Sequence, residues 1–392
     1  MNYWIIFFGT QMKKILANFI YLMACLVPKK RGLILFGAWF GKNYSDNPRY
    51  IYEFALDNGV TNIYWITKNK KLYAELQLSK RPALYAYSLR GLWLQMRAAG
   101  VVFSHSHWSD FCSSCIGPKT VRVQAWHGAP LKRIGKDNDL AKKSYLREFL
   151  SSLLFPYMKE KFDLILATGE LDKGIFARAF STPLDKIKVT GYPRNDVFSF
   201  SDGLLSKRPK KILYMPTFRG APGSVFKYLE ETYFDFSYVE TELEGNDAIL
   251  YIKLHPVQRI SGDFCQKVKG SKRIKLIDQG EDVYPFLNSC DALLTDYSSI
   301  FFDFLLSGKP IFMLPLDIED YINDERLFYY PYEQVCPSEP QLNWMDMLRY
   351  IFKEPYPLDR HAELFGRFHV YSDRGASKRA YEQIISLIKA RV

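Results

Sequence analysis

With 392 residues, 48% of them hydrophobic and 24% charged, the chain has the length for two ordinary domains and a globular composition that rules out a disordered or fibrous protein. A formal charge of +11 and a pI near 9.1 point to an anionic partner. Nucleic acid is set aside because no zinc-finger spacing, RNP-like signature or dense Lys/Arg tract is present, which leaves anionic lipid headgroups and phosphorylated substrates.

The first notable stretch is the apolar run Ile15–Val27, broken only by Asn18 and bracketed by Lys13-Lys14 and Lys29-Lys30-Arg31. It is too short to span a bilayer. It reads as an interfacial helix drawn to anionic lipid, with a buried first helix as the alternative. Met12 is a second candidate start beside Met1. Apolar strand patterns follow at Gly32–Trp39, Asn62–Thr67, Ala98–Ser104, Thr120–Gln124, Asp163–Thr168 and Ile187–Thr190, alternating with helical patterns such as Arg49–Asn58. Phe198–Lys211 is polar, carries Gly and Pro, and reads as a linker. A second series then runs through Ile212–Met215, Ala248–Lys253, Ile274–Ile277, Ala292–Leu294 and Ile311–Leu314, and Lys378–Lys389 is a last helix. Strands separated by helices predict parallel sheets covered on both faces. The expected architecture is α/β, with two doubly wound domains across a cleft and ligands beyond the carboxyl ends of the strands. The expected divisions are 1–31 as the membrane-associating segment, 32–200 and 201–368 as the two domains, and 369–392 as a C-terminal helix able to cross back to the first.

The candidate chemistry sits where strands end. Ser298 and Ser299, between the strand Ala292–Leu294 and the apolar segment Ile300–Leu306, stand at a helix start, as ordinary N-caps or as ligands for a phosphate. His127, in Trp126–Lys132 just past Thr120–Gln124, can take a proton from an attacking hydroxyl, or pack beside Trp126 and bond to backbone. His255 follows the strand of the second half that ends in Lys253, with Pro256 fixing its direction. Lys253 either meets a phosphate or is a solvated strand-end residue. Arg194 can grip phosphate in a bidentate way or pair with Asp196 or another acid. Thr217 and Arg219 close the strand Ile212–Met215 and can form an anion-binding turn. His105 and His107 lack an acidic or Cys partner nearby and read as cleft-wall or structural residues rather than metal ligands. Six scattered cysteines, with Cys112/Cys115 as the one CxxC pair, suit a reducing compartment and a packed pair rather than a metal or redox site.

Phe36-Gly37 with Ser45-Asp46-Asn47, WHGAPLK at Trp126–Lys132, GYPRND at Gly191–Asp196, PTFR at Pro216–Arg219, KLHP at Lys253–Pro256, TDYSS with FDF at Thr295–Phe304, and Asp373–Ser377 with Arg379 occur in one order. In that order they resemble the CDP-glycerol glycerophosphotransferase family of wall teichoic acid and capsule synthesis. The resemblance runs from about Gly32 to Arg379. It implies a GT-B-like fold of two Rossmann-like domains facing a central cleft, with the donor on the C-terminal one. It also implies transfer of glycerol phosphate from CDP-glycerol, or of ribitol phosphate from CDP-ribitol, to a hydroxyl, with no cofactor and no bound metal.

On this resemblance His127 is the general base and His255 contacts the donor pyrophosphate or helps CMP leave. Ser298, Ser299, Arg219 and Arg379 hold donor phosphates, with Thr217, Lys253, Ser377 and Asp296 in the same donor set. Asp46, Asn47, Lys132, Arg194 and Asp196 are the cleft or acceptor candidates. Lys378 departs from the family, which often has Glu there. The absence of a long helical repeat domain suggests a short member that primes a polymer or adds one unit. The expected setting is the cytoplasmic face of the cell membrane, with a lipid-linked saccharide or growing polymer as acceptor. The alternatives are a GT-B glycosyltransferase using a nucleotide-sugar and a noncatalytic polyanion- or membrane-binding protein.

Overall fold

The computed structural model describes residues 2–138, 153–199, 209–220, 223–232, 234–255, 258–280, 282–319, 321 and 327–391, with residues 2–11, 230 and 231 as backbone only. Met1, Pro256 and most of the expected linker, 200–208, lie outside the described residues. The chain falls into two compact units. The first holds Met1–His127, Asp139–Asp196 and Gly375–Val392; the second holds Gly128–Asn138 and Val197–Arg374.

In the first unit β1 (Lys30–Gly37), β2 (Ile63–Thr67), β3 (Ala83–Tyr85), β4 (Ala98–Phe103), β5 (Val121–Gln124), β6 (Leu164–Ala167) and β7 (Ile187–Val189) form one sheet. Its order is β3-β2-β1-β4-β5-β6-β7 and every pair is parallel. All six residues of β4 are buried, as a parallel strand covered on both faces requires. The strand order reverses between β1 and β4, where Gly37 pairs with Phe103, so the loops leaving these two strands share the crevice in which such sheets bind ligands.

The helix Ala376–Arg391 completes this unit. Ala380, Ile384 and Ile388, four residues apart, share one buried cluster with Val121, Val123 and Leu166. Burying each isoleucine contributes about 1.5–3 kcal/mol. At the helix start the Asp196 carboxylate accepts the amide hydrogens of Ala376 (2.9 Å) and Ser377 (2.8 Å), satisfying N–H groups that have no partner within the helix. At its end Arg391 grips Asp163 through two 2.7 Å bonds.

The N-terminal helix runs from Asn2 to Leu26, beginning well before the apolar run that announced it. Its end packs on Gly117, where a Cβ would lie 2.6 Å from the Ala24 carbonyl oxygen, so only glycine admits that approach. Lys29 donates to the carbonyls of Ala24 and Met96, near the carboxyl ends of two helices, and burial lowers its pKa to about 8. Among the described residues no helix is long and apolar enough to cross a membrane.

In the second unit the strands are β8 (Lys211–Met215), β9 (Val225–Phe226), β10 (Ile249–Ile252), β11 (Arg259–Ile260), β12 (Ile274–Leu276), β13 (Ala292–Thr295) and β14 (Ile311–Met313). Five make a parallel sheet in the order β12-β10-β8-β13-β14, and β9 pairs with β11 apart from it. Here the order reverses between β8 and β13, with Thr295 opposite Met215. Tyr214, Leu250, Leu294, Phe312, Trp344 and Met347 belong to its core.

Candidate active site

In the first unit the loops at the switch point are tied by one carboxylate. Asp110 is fully buried; its Oδ1 accepts the Phe40 N–H (2.8 Å) and its Oδ2 accepts those of Ser104 (3.2 Å) and His105 (3.1 Å). Burial raises its pKa to about 6 against the lowering effect of these bonds. The arrangement holds Trp39 (φ 49°) and Phe40 (φ 60°) in the left-handed region, which costs backbone strain.

His127 follows β5 in a loop whose Trp126 is also left-handed (φ 58°). Its Nδ1 lies 2.9 Å from the Ser104 carbonyl oxygen. A carbonyl only accepts, so Nδ1 carries the hydrogen and Nε2 is the basic nitrogen. The His127 ring stacks on His105 at 4.4 Å and 7°, and meets Trp126 tilted, at 4.3 Å and 32°. His107 stands elsewhere, buried, with Nε2 3.0 Å from the Tyr157 carbonyl, and burial lowers its pKa to about 3. His105 and His107 therefore do not form a pair.

Three acceptor candidates, Asp46, Asn47 and Arg194, bond to one another and to the backbone of the His127 loop. Asn47 donates to the carbonyls of Ala125 (2.9 Å) and Trp126 (3.1 Å) and accepts the Arg194 N–H (3.1 Å). Arg194 donates to Asp46 at 2.8 Å, with side chains only 6% and 3% exposed. Asp46, Asn47 and Arg194 thus lock the loops together from within. The expected pairing of Arg194 with an acid is made with Asp46, while Asp196 caps the last helix. Ser377 and Arg379 also belong to this first unit. The Ser377 hydroxyl lies 3.5 Å from the Pro193 carbonyl and Arg379 donates to that of Thr190 at 2.8 Å.

In the second unit the switch-point loops meet at Asp296, which is fully buried. Its carboxylate accepts the Thr217 N–H (2.8 and 3.0 Å) and pairs with Arg219 (2.8 Å). Arg219 also grips Asp317 through 2.6 and 2.8 Å bonds and lies 3.9 Å from the Tyr228 ring centre. Burial opposes the charge on Asp317, yet Arg219 and the hydroxyls of Tyr297 and Tyr228 hold its pKa below the ordinary value. Arg219 and Asp296 thus pair with each other and with groups of the loop frame. Asp317, Tyr228 and Tyr321 have no sequence signal, and Tyr297 stands out only as part of TDYSS.

The other candidates of the second unit are Thr217, Ser298, Ser299, Lys253, His255 and Lys132. The Thr217 hydroxyl is buried and, among the described residues, has no hydrogen-bond partner. Ser298 and Ser299 are half-buried just before the helix Ile300–Phe304, and Ser299 makes no side-chain capping bond to it. Lys253 is buried and donates to the Asp278 carbonyl. His255 lies 5.5 Å from the Phe218 ring, and its carbonyl is fixed by Gln258 (3.0 Å) and Gln279 (2.9 Å). Lys132 belongs to this unit, with its ammonium 4.8 Å from the Tyr321 ring centre.

All-parallel sheets with reversed strand order and polar side chains at the reversal define an α/β enzyme of the Rossmann-like class. The chain is similar in fold to the wall teichoic acid polymerase TagF, with a TM-score of 0.75 over 98% of this chain and 99% of that one at 22% identity. It belongs to the CDP-glycerol:poly(glycerophosphate) glycerophosphotransferase family, whose model matches residues 19–386. It is 28% identical to the teichoic acid glycerol-phosphate transferase of Staphylococcus aureus, over 95% of this chain and 98% of that protein. It is 30% identical to the teichoic acid poly(glycerol phosphate) polymerase of Bacillus subtilis, over 81% of this chain and 43% of that longer protein.

Proposed function

We propose that the protein transfers glycerol phosphate from CDP-glycerol to a hydroxyl of a lipid-linked saccharide or growing teichoic-acid polymer, releasing CMP. The observation that carries this reading is His127, whose Nδ1 is committed to the Ser104 carbonyl so that Nε2 can receive a proton. The acceptor hydroxyl gives its proton to Nε2 as its oxygen attacks the phosphorus of the glycerol-phosphate group. The bond from that phosphorus to the bridging oxygen of CMP breaks, and CMP departs with the electron pair.

On the donor side Thr217, Ser298 and Ser299 supply hydroxyl donors to phosphate oxygens, with His255 next to the pyrophosphate. Asp296 and Arg219 act behind Thr217 by fixing its loop, and Lys253 fixes the loop that carries His255. Ser377 and Arg379 hold the last helix in place.

The N-terminal helix supports action at a membrane surface. Ile15 (69% exposed), Phe19 (61%), Leu22 and Leu26 (78%) lie at spacings of four, three and four residues and form an exposed apolar stripe. Basic residues flank it at Lys13-Lys14 and Lys29–Arg31. The cytoplasmic face, where CDP-glycerol would be supplied, is the setting this reading requires.

The test is CMP release from CDP-glycerol and, separately, from CDP-ribitol, with membranes bearing lipid-linked acceptor, for wild type and His127→Ala. Release from CDP-glycerol that disappears in the variant is expected. Release from CDP-ribitol alone would reassign the donor, and undiminished turnover by His127→Ala would remove the base.

A further inference from the structure

The rings around His127 are not equivalent. Trp39 and Phe40 lie 4.9 and 4.7 Å from His105 at 56° and 49°, and Trp126 meets His127 at 32°. Among these ring pairs, His105 and His127 lie flat on each other, at 7°. One residue serves both: the Ser104 carbonyl meets His127 Nδ1, while the Ser104 hydroxyl lies 2.9 Å from His105 Nδ1 and accepts the Trp39 N–H at 3.2 Å. The His105 main chain is fixed on both sides, its N–H by Asp110 (3.1 Å) and its carbonyl by Gln124 (2.6 Å). Strained Trp39 and Phe40 close around that ring. Strain of this kind persists where the surrounding structure overdetermines it, and it concentrates at functional sites.

We propose that His105 is a positioning residue for the transfer reaction, its flat face setting the plane of the His127 imidazole. This rests on reading His127 as the base. A hydrogen bond at Nδ1 fixes a point and not a plane, whereas a ring lying parallel at 4.4 Å fixes the plane and with it the direction of Nε2. The same face lies against the imidazolium that forms when His127 takes the hydroxyl proton, which a π surface stabilises. The Asp110 carboxylate binds the His105 backbone N–H. Lys68, the cation beside Asp110, is itself tied to the Ser109 carbonyl at 2.6 Å.

Two substitutions separate the ring from its hydrogen bond. His105→Gln keeps a polar group for the Ser104 hydroxyl and removes the ring; His105→Phe keeps the flat ring and removes the polar group. Both are compared with wild type and His127→Ala for CMP release from CDP-glycerol, with thermal unfolding to establish folding. The expected result is that His105→Gln lowers kcat about ten- to a hundredfold, with KM for CDP-glycerol changed less than about threefold. His105→Phe then restores at least a tenfold higher kcat than His105→Gln. The proposal is overturned if His105→Gln turns over like wild type, if His105→Phe is as slow as His105→Gln, or if the loss lies in KM alone. Undiminished turnover by His127→Ala would instead remove the underlying reading of the base, whatever the His105 variants do.

Discussion

Arg194 and Asp46 stand 148 residues apart in sequence and form an ion pair with almost no exposure to water. The pair holds the start of the helix Asp46–Asp57 against the turn after β7, and the adjacent Asn47 reaches from there to the His127 loop. Asp46→Ala leaves the Arg194 guanidinium buried without its carboxylate, so a loss of about 3–5 kcal/mol is expected in urea unfolding. A variant within about 1 kcal/mol of wild type would show that the pair is not holding these loops.

Arg219 and Asp296 make a parallel case in the second unit. A double-mutant cycle with Arg219→Met and Asp296→Asn should give a coupling energy above about 1.5 kcal/mol, because each single change strands a buried charge or donor. Additive effects would return Arg219 to the pool of cations available for donor phosphate. CDP-glycerol binding by the double variant provides a second reading of the same question.

Acid should weaken the fold through its buried histidines. Burial lowers the pKa of His107 from 6.5 to about 3, and it lowers those of His361 and His369 as well. In each case the unfolded chain takes up a proton that the folded ring refuses. The stability they contribute is full above about pH 6.5 and is lost as pH falls toward the folded values. Asp110 acts in the opposite sense: with its pKa raised from 3.8 to about 6, its contribution is lost as pH rises through that interval. Three groups against one predict a falling unfolding temperature below pH 6.5. A midpoint that stays level from pH 7 to pH 5 would contradict this.

Cys112 should be the more reactive member of its pair. The Cys115 thiol donates to it, which lowers the Cys112 pKa and raises that of buried Cys115. Iodoacetamide at pH 7, followed by peptide mass mapping, should modify Cys112 ahead of Cys115. Cys115→Ala should slow that modification several-fold, and an unchanged rate would exclude the thiol–thiol bond as its cause.

What could be read from the residues was set by range. Buried strands such as β4, Ala98–Phe103, declare themselves because both faces are apolar, and the loops carrying His127 and Thr217 were found because they follow such strands. β3 has three residues and β9 and β11 two each, too few for any pattern to stand out. The pairing of Arg219 was not legible, because its partner Asp317 lies 98 positions away. An arginine in a turn looks the same whether a ligand or a distant carboxylate neutralises it. The capping of Ala376 and Ser377 by Asp196 spans about as much chain again as half the protein.

The return of Gly375–Val392 to the first unit sets an order for synthesis on the ribosome. The first sheet emerges early but lacks the helix that covers Val121 and Val123 until Val197–Arg374 has also been made. At ~5–20 residues per second that interval lasts on the order of ten to forty seconds. During it an apolar surface wide enough to seat Ala380, Ile384 and Ile388 faces the cytosol, and a nascent chain in that state is a client for chaperones. A premature stop anywhere in the second half would therefore damage the first.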